Sequence, residues 1–379
     1  MVIHILTPAN RAGGRRRLHS GIVHCATANR EGEGGVKALV KYASGNGNVA
    51  VMEVDEPVCR EDQVKVEVAF CGVCGTDLHV LHDTFRNYPP VIMGHEFAGA
   101  VVEVGSGVTG VAQGDRVTVL GASTVTCGEC SYCRSGNFVF CAARRGMGHG
   151  VNGAFARYVV ARKDQLFRLP EGFSLAEAAL SEPFAAAVQA VAEVTKVRIG
   201  DTALISGPGP IGLLCLKLLA AEGVKTIVAG AAGDSARLEA ARRIGAAATV
   251  CTSERNLLDA VREETGGAGV DVAFECAGHP DSVRGCIEAL RPLGRYTQVA
   301  ICGREIPFPI DGVILKQLTV AGSLCYTVRT WERVMRIFAQ GKVRLDDLIS
   351  AKLPLSEWEA AFGLCVEKRA LKVLLYPEA

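Results

Sequence analysis

TALISGPGPIGLLCLKLLAAEG, residues 202–223, passes without a break from a short apolar run to a glycine loop to a leucine-rich stretch. The first five residues have the length of a buried strand, and the run after Gly212 has the length of a helix. Between them GPGPIG matches the pattern G-x-G-x-x-G. Such a match is weak alone, but directly after a strand and opening a helix it is the arrangement a dinucleotide requires. Gly207 allows the tight turn, Gly209 lets backbone approach a pyrophosphate, and Gly212 lets helix pack on strand. Gly207, Gly209, Pro210, Ile211 and Gly212 are therefore the expected coenzyme contacts. A glycine turn without a ligand is the alternative.

Downstream the same alternation continues. TIVAG (226–230) reads as a strand and SARLEAARRIGA (235–246) as a helix; VDVAFECAG (270–278) and RYTQVAICG (295–303) read as further strands. This alternation predicts a parallel, doubly wound sheet with right-handed crossovers. The acid expected about twenty residues after the glycine loop to grip the adenosine ribose is missing. The second strand runs instead into Gly230-Ala231-Ala232-Gly233, and Asp234 reads as the cap of the next helix. Small residues there leave room for a 2′-phosphate that Arg237 could approach, so NAD and NADP both stay open.

Upstream, from Val36 to about Val160, short alternating segments such as NVAVMEV, QVKVEVAF, AGAVVEVG and DRVTVLG predict an antiparallel, barrel-like unit. After about Gly322 come a helical stretch, WERVMRIFAQ, and KVLLYP, a lone strand that needs a sheet. The tail therefore reads as a return to the first unit. The expected division is an extension at 1–35, a β-rich catalytic part at 36–190 with a cysteine lobe at 121–145, a coenzyme part at 191–322 and the return at 323–379. The fold class is α/β.

Composition narrows the functions. With 379 residues, two cores are affordable. Lys+Arg is 41 against 40 for Asp+Glu, which leaves no basic field for nucleic acid. The apolar runs are too short and too interrupted by charge to span a membrane. Among the 15 cysteines, Cys215, Cys251, Cys276, Cys286, Cys302 and Cys365 sit singly in apolar contexts, as core residues of a reducing cytosol do. The first 35 residues differ: Arg11, Arg15, Arg16, Arg17 and Arg30 precede any acid, and the segment ends in EGEGG. A disordered extension is the favoured reading, with a mitochondrial presequence as the alternative to a cytoplasmic protein.

The clustered cysteines read as metal ligands. Cys127, Cys130, Cys133 and Cys141 form C-x2-C-x2-C-x7-C. Four thiolates satisfy tetrahedral zinc and leave no open position, so this site is structural; a disulfide pairing is the alternative. In AFCGVCGTDLHVLH (69–82), only four residues separate Cys74 from His79, too few for a two-Cys, two-His finger. Partners must come from elsewhere, and VIMGHEFAGAVVEVGSGV (91–108) supplies His95 and Glu96. Cys74, His95 and a carboxylate make three ligands suited to a catalytic zinc with one open position. Glu182, in LSEPFAAAVQAV, is a further carboxylate, which Pro183 is expected to hold out of helical geometry. Cys71 reads as a core residue and His82 as a loop residue.

Together these residues resemble the zinc-dependent medium-chain dehydrogenase/reductase superfamily, in its sorbitol (polyol) and threonine dehydrogenase branch, from about Val36 to the end. The superfamily signature G-H-E-x2-G-x5-G-x2-V stands as GHEFAGAVVEVGSGV (94–108), and its ligand loop as GVCGTDLH (72–79). The resemblance implies a GroES-like catalytic domain and a Rossmann coenzyme domain with the active site between them. It implies one catalytic and one structural zinc, NAD or NADP, and a dimer or tetramer of identical chains. By the same resemblance Cys74 and His95 bind the catalytic zinc, and Glu96 and Glu182 share the remaining positions with water. Zinc lowers the pKa of a bound alcohol, and hydride passes to nicotinamide. Thr76 is then the first proton acceptor, His79 the exit, and Asp77 the carboxylate that orients His95. A plain turn is the competing reading of Thr76 and Asp77.

One departure concerns substrate. Sorbitol dehydrogenases tend to carry Arg-Tyr in the segment matching GSLCYT (322–327), where this chain has Cys325-Tyr326. A less polar secondary alcohol therefore stands beside polyols. L-Threonine 3-dehydrogenase is the alternative activity, with Arg86 as a candidate carboxylate partner against the favoured reading of a solvated loop arginine, and a non-catalytic zinc- and nucleotide-binding protein is the alternative class.

Overall fold

The computed structural model describes residues 35–378, so the Arg-rich stretch read above as an extension lies outside the described residues save for Gly35. Alternation of apolar residues in Gln63–Gly72 produces the central strand of a seven-stranded sheet. One neighbour is Glu96–Val104, antiparallel, with Val66 opposite Val101 and Gly72 opposite Glu96. Arg116–Val119 and Leu166–Arg168 continue that side, and Tyr158–Arg162 also pairs with Gln63–Gly72. The other neighbour is Lys372–Tyr376, near the end of the chain, with Leu374 opposite Gly72; Ile349–Pro354 lies beyond it. The inward faces of these strands bury Val64, Val66, Phe97, Val101 and Val373 in one core, with Cys71 among them. A smaller sheet of Val49–Val54, Val36–Lys41 and Val91–Ile92 lies alongside.

The second large sheet has six strands, every pair parallel. Across the sheet they run Ala248–Cys251, Lys225–Gly230, Thr202–Ser206, Val270–Glu275, Leu290–Gln298 and Thr319–Gly322. In chain order this is 3-2-1-4-5-6, the doubly wound dinucleotide-binding topology with its reversal between the first and fourth strands. Gly207 directly follows the first of these. The strand expected at 295–303 instead occupies Leu290–Gln298. It stops there because its neighbours end at Glu275 and Gly322, which lie opposite Gln298, so residues beyond have no ladder to join.

Helix Val328–Ala339 buries Trp331, Val334 and Phe338. Phe338 stacks on Phe173 at 4.2 Å and on Phe184 at 5.4 Å. Each such aromatic contributes about 1.5–3 kcal/mol by leaving water. The stack ties the segment after the second sheet to helix Ser181–Val188, which carries Glu182.

Candidate active site

The pairing of Gly72 with Glu96 creates the site. It places the loop after one strand beside the turn before the other, so Cys74 and His95 meet although 21 positions separate them. Cys74 precedes helix Gly75–Leu81, and its N–H donates to Asp77 Oδ2 at 2.9 Å. Gly94 turns the chain into His95 at φ 86°, where a Cβ would meet Phe155 Cγ at 2.7 Å and Cys71 Sγ at 2.9 Å. Only glycine fits.

Donor atoms of Cys74, His95 and Glu96 lie within 4.8 Å of one another. A thiolate, an imidazole and a carboxylate are a catalytic zinc set with a fourth position free. The surroundings fit the ion. His95 Nδ1 faces Asp77 Oδ1 at 3.6 Å, leaving its other nitrogen for a metal, and both atoms are buried without hydrogen-bond partners. Burial opposes charge on His95, but the Asp77 carboxylate and Cys74 outweigh it and raise the His95 pKa well above its ordinary value.

Glu96 is 1% exposed, and its Oε2 pairs with the ammonium of Lys372. Lys372 also donates to the carbonyl of Val73 at 2.9 Å. Nothing in the motif reading pointed to Lys372; the available signal was a lysine opening an otherwise apolar strand.

Glu182 stands outside the three-residue cluster. Tyr326 donates to its Oε1 at 2.8 Å, and burial pushes its carboxyl upward. Its backbone corrects the expectation: Glu182 lies within the first turn of helix Ser181–Val188, because a proline there has no intrahelical N–H to lose. Thr76 and His79 sit one turn apart on helix Gly75–Leu81, so they share a face. His79 is exposed, and its Nδ1 lies 2.9 Å from Thr84 Oγ1. His82, also exposed, contacts Asn46.

In the four-cysteine lobe, Cys127 Sγ lies 3.9 Å from Cys133 Sγ and 3.6 Å from Cys141 Sγ. Zinc–sulfur bonds of about 2.3 Å in a tetrahedron put sulfurs about 3.8 Å apart, so the lobe fits the ion. Backbone N–H groups of Glu129 and Cys130 pull the Cys127 thiol down to about 6. The described cysteines form no disulfide.

In the coenzyme loop Gly207 has φ 106°, and a Cβ there would meet Ala277 N at 2.7 Å. Gly212 packs its helix so closely that a Cβ would stand 2.1 Å from Gly207 O. Gly209 faces open space at the head of the twelve-residue helix Pro210–Ala221, where backbone N–H groups await an anion. Asp234 departs from its expected role. Its carboxylate bonds back to Ala231 N at 3.0 Å and caps no N–H of helix Ser235–Ile244, because Ala232–Asp234 forms a separate short turn ahead of that helix. Arg237 Nη1 lies 3.7 Å from Asp234 Oδ1, and its Nη2 donates to Ala370 O at 3.4 Å.

Residues 60–171 match the alcohol dehydrogenase GroES-like domain, and residues 210–340 match the zinc-binding dehydrogenase family. The chain is 38% identical to a sorbitol dehydrogenase of Halalkalibacterium halodurans over 90% of its own length and 99% of the relative's. The chain belongs to the zinc-dependent medium-chain dehydrogenase/reductase superfamily, in its sorbitol dehydrogenase-like branch. A D-arabitol-phosphate dehydrogenase of Enterococcus avium is 34% identical, over 90% of this chain and 97% of its own. An L-threonine 3-dehydrogenase of Saccharopolyspora erythraea is likewise 34% identical, over 90% of this chain and 98% of its own. A zinc-binding dehydrogenase of Sinorhizobium meliloti bound to NADP superposes with a TM-score of 0.82 at 31% identity, covering 91% of this chain and all of that one. The chain is thus an oxidoreductase of alcohols or polyols that uses zinc and a nicotinamide dinucleotide. Among the described residues no helix is long and apolar enough to cross a membrane.

Proposed function

We propose that the enzyme oxidises a secondary alcohol or polyol to a ketone at the cluster of Cys74, His95 and Glu96, passing hydride to NAD(P). The convergence of those three donor atoms within 4.8 Å carries this reading. Bound zinc supplies a Lewis acid that makes the substrate hydroxyl acidic near neutral pH. Thr76 Oγ1 takes the proton released from that hydroxyl, and the exposed imidazole of His79, on the same helix face, hands it to water. Asp77 holds the His95 ring in place. Tyr326 holds the Glu182 carboxylate, which would share the remaining zinc position with Glu96. Gly207, Gly209, Pro210, Ile211 and Gly212 seat the pyrophosphate, and Arg237 approaches the adenosine ribose. Cys127, Cys130, Cys133 and Cys141 hold a second, structural zinc.

The catalytic part comprises residues 36–190 and 323–379, and the coenzyme part 191–322. The enzyme works in the cytoplasm, in keeping with the cysteines among the described residues, which form no disulfide with one another. It assembles as a dimer or tetramer through the edge strand Thr319–Gly322, around which Ile310, Ile314, Leu315 and Leu324 are exposed.

The test is a panel of secondary alcohols, polyols and L-threonine, each offered to the zinc-loaded protein with NAD and with NADP while reduced nicotinamide is followed. Turnover of a polyol or secondary alcohol is expected. Zinc and coenzyme binding with no oxidation across the panel would mark a non-catalytic relative.

A further inference from the structure

Arg144 follows the four-cysteine lobe, and its Nη1 reaches Cys325 Sγ at 3.6 Å. Cys325 adopts φ 50°, and the next residue, Tyr326, holds Glu182. Burial raises the Cys325 thiol, and the charges bearing on it are those of Arg144, Glu182 and His95.

This guanidinium is poorly matched by what it touches. A thiol is a weak acceptor, and a guanidinium has five N–H donors to satisfy. Among the described residues no carboxylate pairs with Arg144, although it is only partly exposed. Arg145 is likewise partly exposed with no carboxylate partner among the described residues, and the exposed Arg86 lies nearby. Arg145 Cζ lies 4.2 Å from the ring centre of Tyr88, and Arg86 Cζ lies 5.1 Å from it on the neighbouring loop. Tyr88 N donates to His149 O at 2.9 Å. Arg144 and Arg145 thus carry positive charge with no carboxylate partner among the described residues, on a segment whose Gly148 packs against Gly94, next to His95. Keeping such a group partly out of water without an anion is costly, and an anion that enters gains charge-assisted, bidentate contacts.

We propose that Arg144 is a specificity-determining residue that receives an anionic group, phosphate or carboxylate, on the alcohol substrate, with Arg86 and Arg145 supplying the surrounding positive field. The inference rests on the dehydrogenase reading and adds the class of substrate to it.

The test uses zinc-loaded enzyme with its coenzyme and two matched pairs: sorbitol against a sorbitol phosphate, and butanediol against hydroxybutyrate. The charged member of one pair is expected to be preferred, and which pair identifies the anion. Arg144→Ala should cut that preference roughly tenfold to a hundredfold, mainly through KM, because hydrogen bonds to charged groups contribute about 1.5–3 kcal/mol. Arg144→Lys, which keeps the charge and loses the fork, should restore part of it. An unchanged preference in Arg144→Ala, with its melting temperature intact, overturns the inference and leaves the dehydrogenase reading standing. If no alcohol is oxidised, that reading fails, and calorimetry with the sorbitol phosphate and hydroxybutyrate decides the anion site separately. Equal affinity in wild type and Arg144→Ala, or no binding to either, then overturns it.

Discussion

Lys372 and Glu96 form an ion pair almost wholly out of water, with side chains 5% and 1% exposed. Burial opposes charge on Lys372, but Glu96 and Cys74 outweigh it and the ammonium's pKa is raised. A raised lysine gives stability that is fully present below its unfolded pKa of about 10.5 and lost only as pH climbs through the folded value. The pair therefore holds throughout the neutral range. Lys372→Met should cost about 3–5 kcal/mol, since it strands a buried carboxylate. Zinc would compensate part of that stranded charge. The gap in melting temperature between zinc-loaded and chelated protein should therefore widen in the variant; an unchanged gap would show that Glu96 does not sense the metal.

Glu177 provides an acid-sensitive fastening far from the chemistry. Its buried carboxylate accepts from Arg344 Nε at 2.8 Å and from Leu345 N at 3.0 Å. Burial raises its pKa, but the Arg344 and Leu345 contacts prevail and the net shift is downward. A depressed carboxyl contributes stability above its unfolded pKa of about 4.3 and loses it as pH falls through the folded value. Glu177→Gln should cost about 1–3 kcal/mol at neutral pH and less below pH 4. Thermal melts of both proteins across that range check it; parallel curves would contradict the assignment.

The fold was legible because its signals are local. TALIS, GPGPIG and the helix after them occur in sequence order, as do the four cysteines of the lobe. Cys74, His95 and Glu96 could be named from motifs, but their convergence depends on the Gly72–Glu96 register, which no local pattern states. Lys372 and Arg144 were missed for the same reason. Lys372 reaches Glu96 from a strand 276 positions later, and Arg144 reaches Cys325 across 181 positions. Side chains that act through such long closures carry no spacing signature, whatever their importance to the site. The misplaced end of Leu290–Gln298 has a related cause: apolar β-formers continue past Gln298, but the neighbouring strands do not.

Arg237 decides coenzyme choice in the proposed scheme. Its guanidinium now faces Asp234 and Ala370, and a 2′-phosphate would offer it a stronger partner. Arg237→Ala should raise KM for NADP about tenfold or more with a much smaller change for NAD, since a charged hydrogen bond contributes about 1.5–3 kcal/mol. Initial rates with each coenzyme at saturating alcohol measure the split. If both constants move equally, Arg237 acts only by packing its helix against residue 370.

The two proposed zinc sites should fail differently. Cys74→Ser replaces a soft thiolate with a hydroxyl that stays protonated, at a site where two other donors and Lys372 keep their places. Turnover should fall by orders of magnitude, with about one zinc per chain lost and melting temperature little changed. Cys133→Ser breaks a closed four-thiolate shell whose lobe has few packed side chains, Tyr132 and Phe140 being about half exposed. That loss should appear as lower stability or altered assembly, because in the proposed scheme the metal's binding energy folds the lobe. The lobe also leads into Arg144, so disordering it should weaken any preference for a charged substrate before it affects hydride transfer. Metal analysis, melting curves and kcat measured on the same preparations separate the two. Equal loss of kcat with unchanged melting in both variants would mean that the cysteines serve a single site.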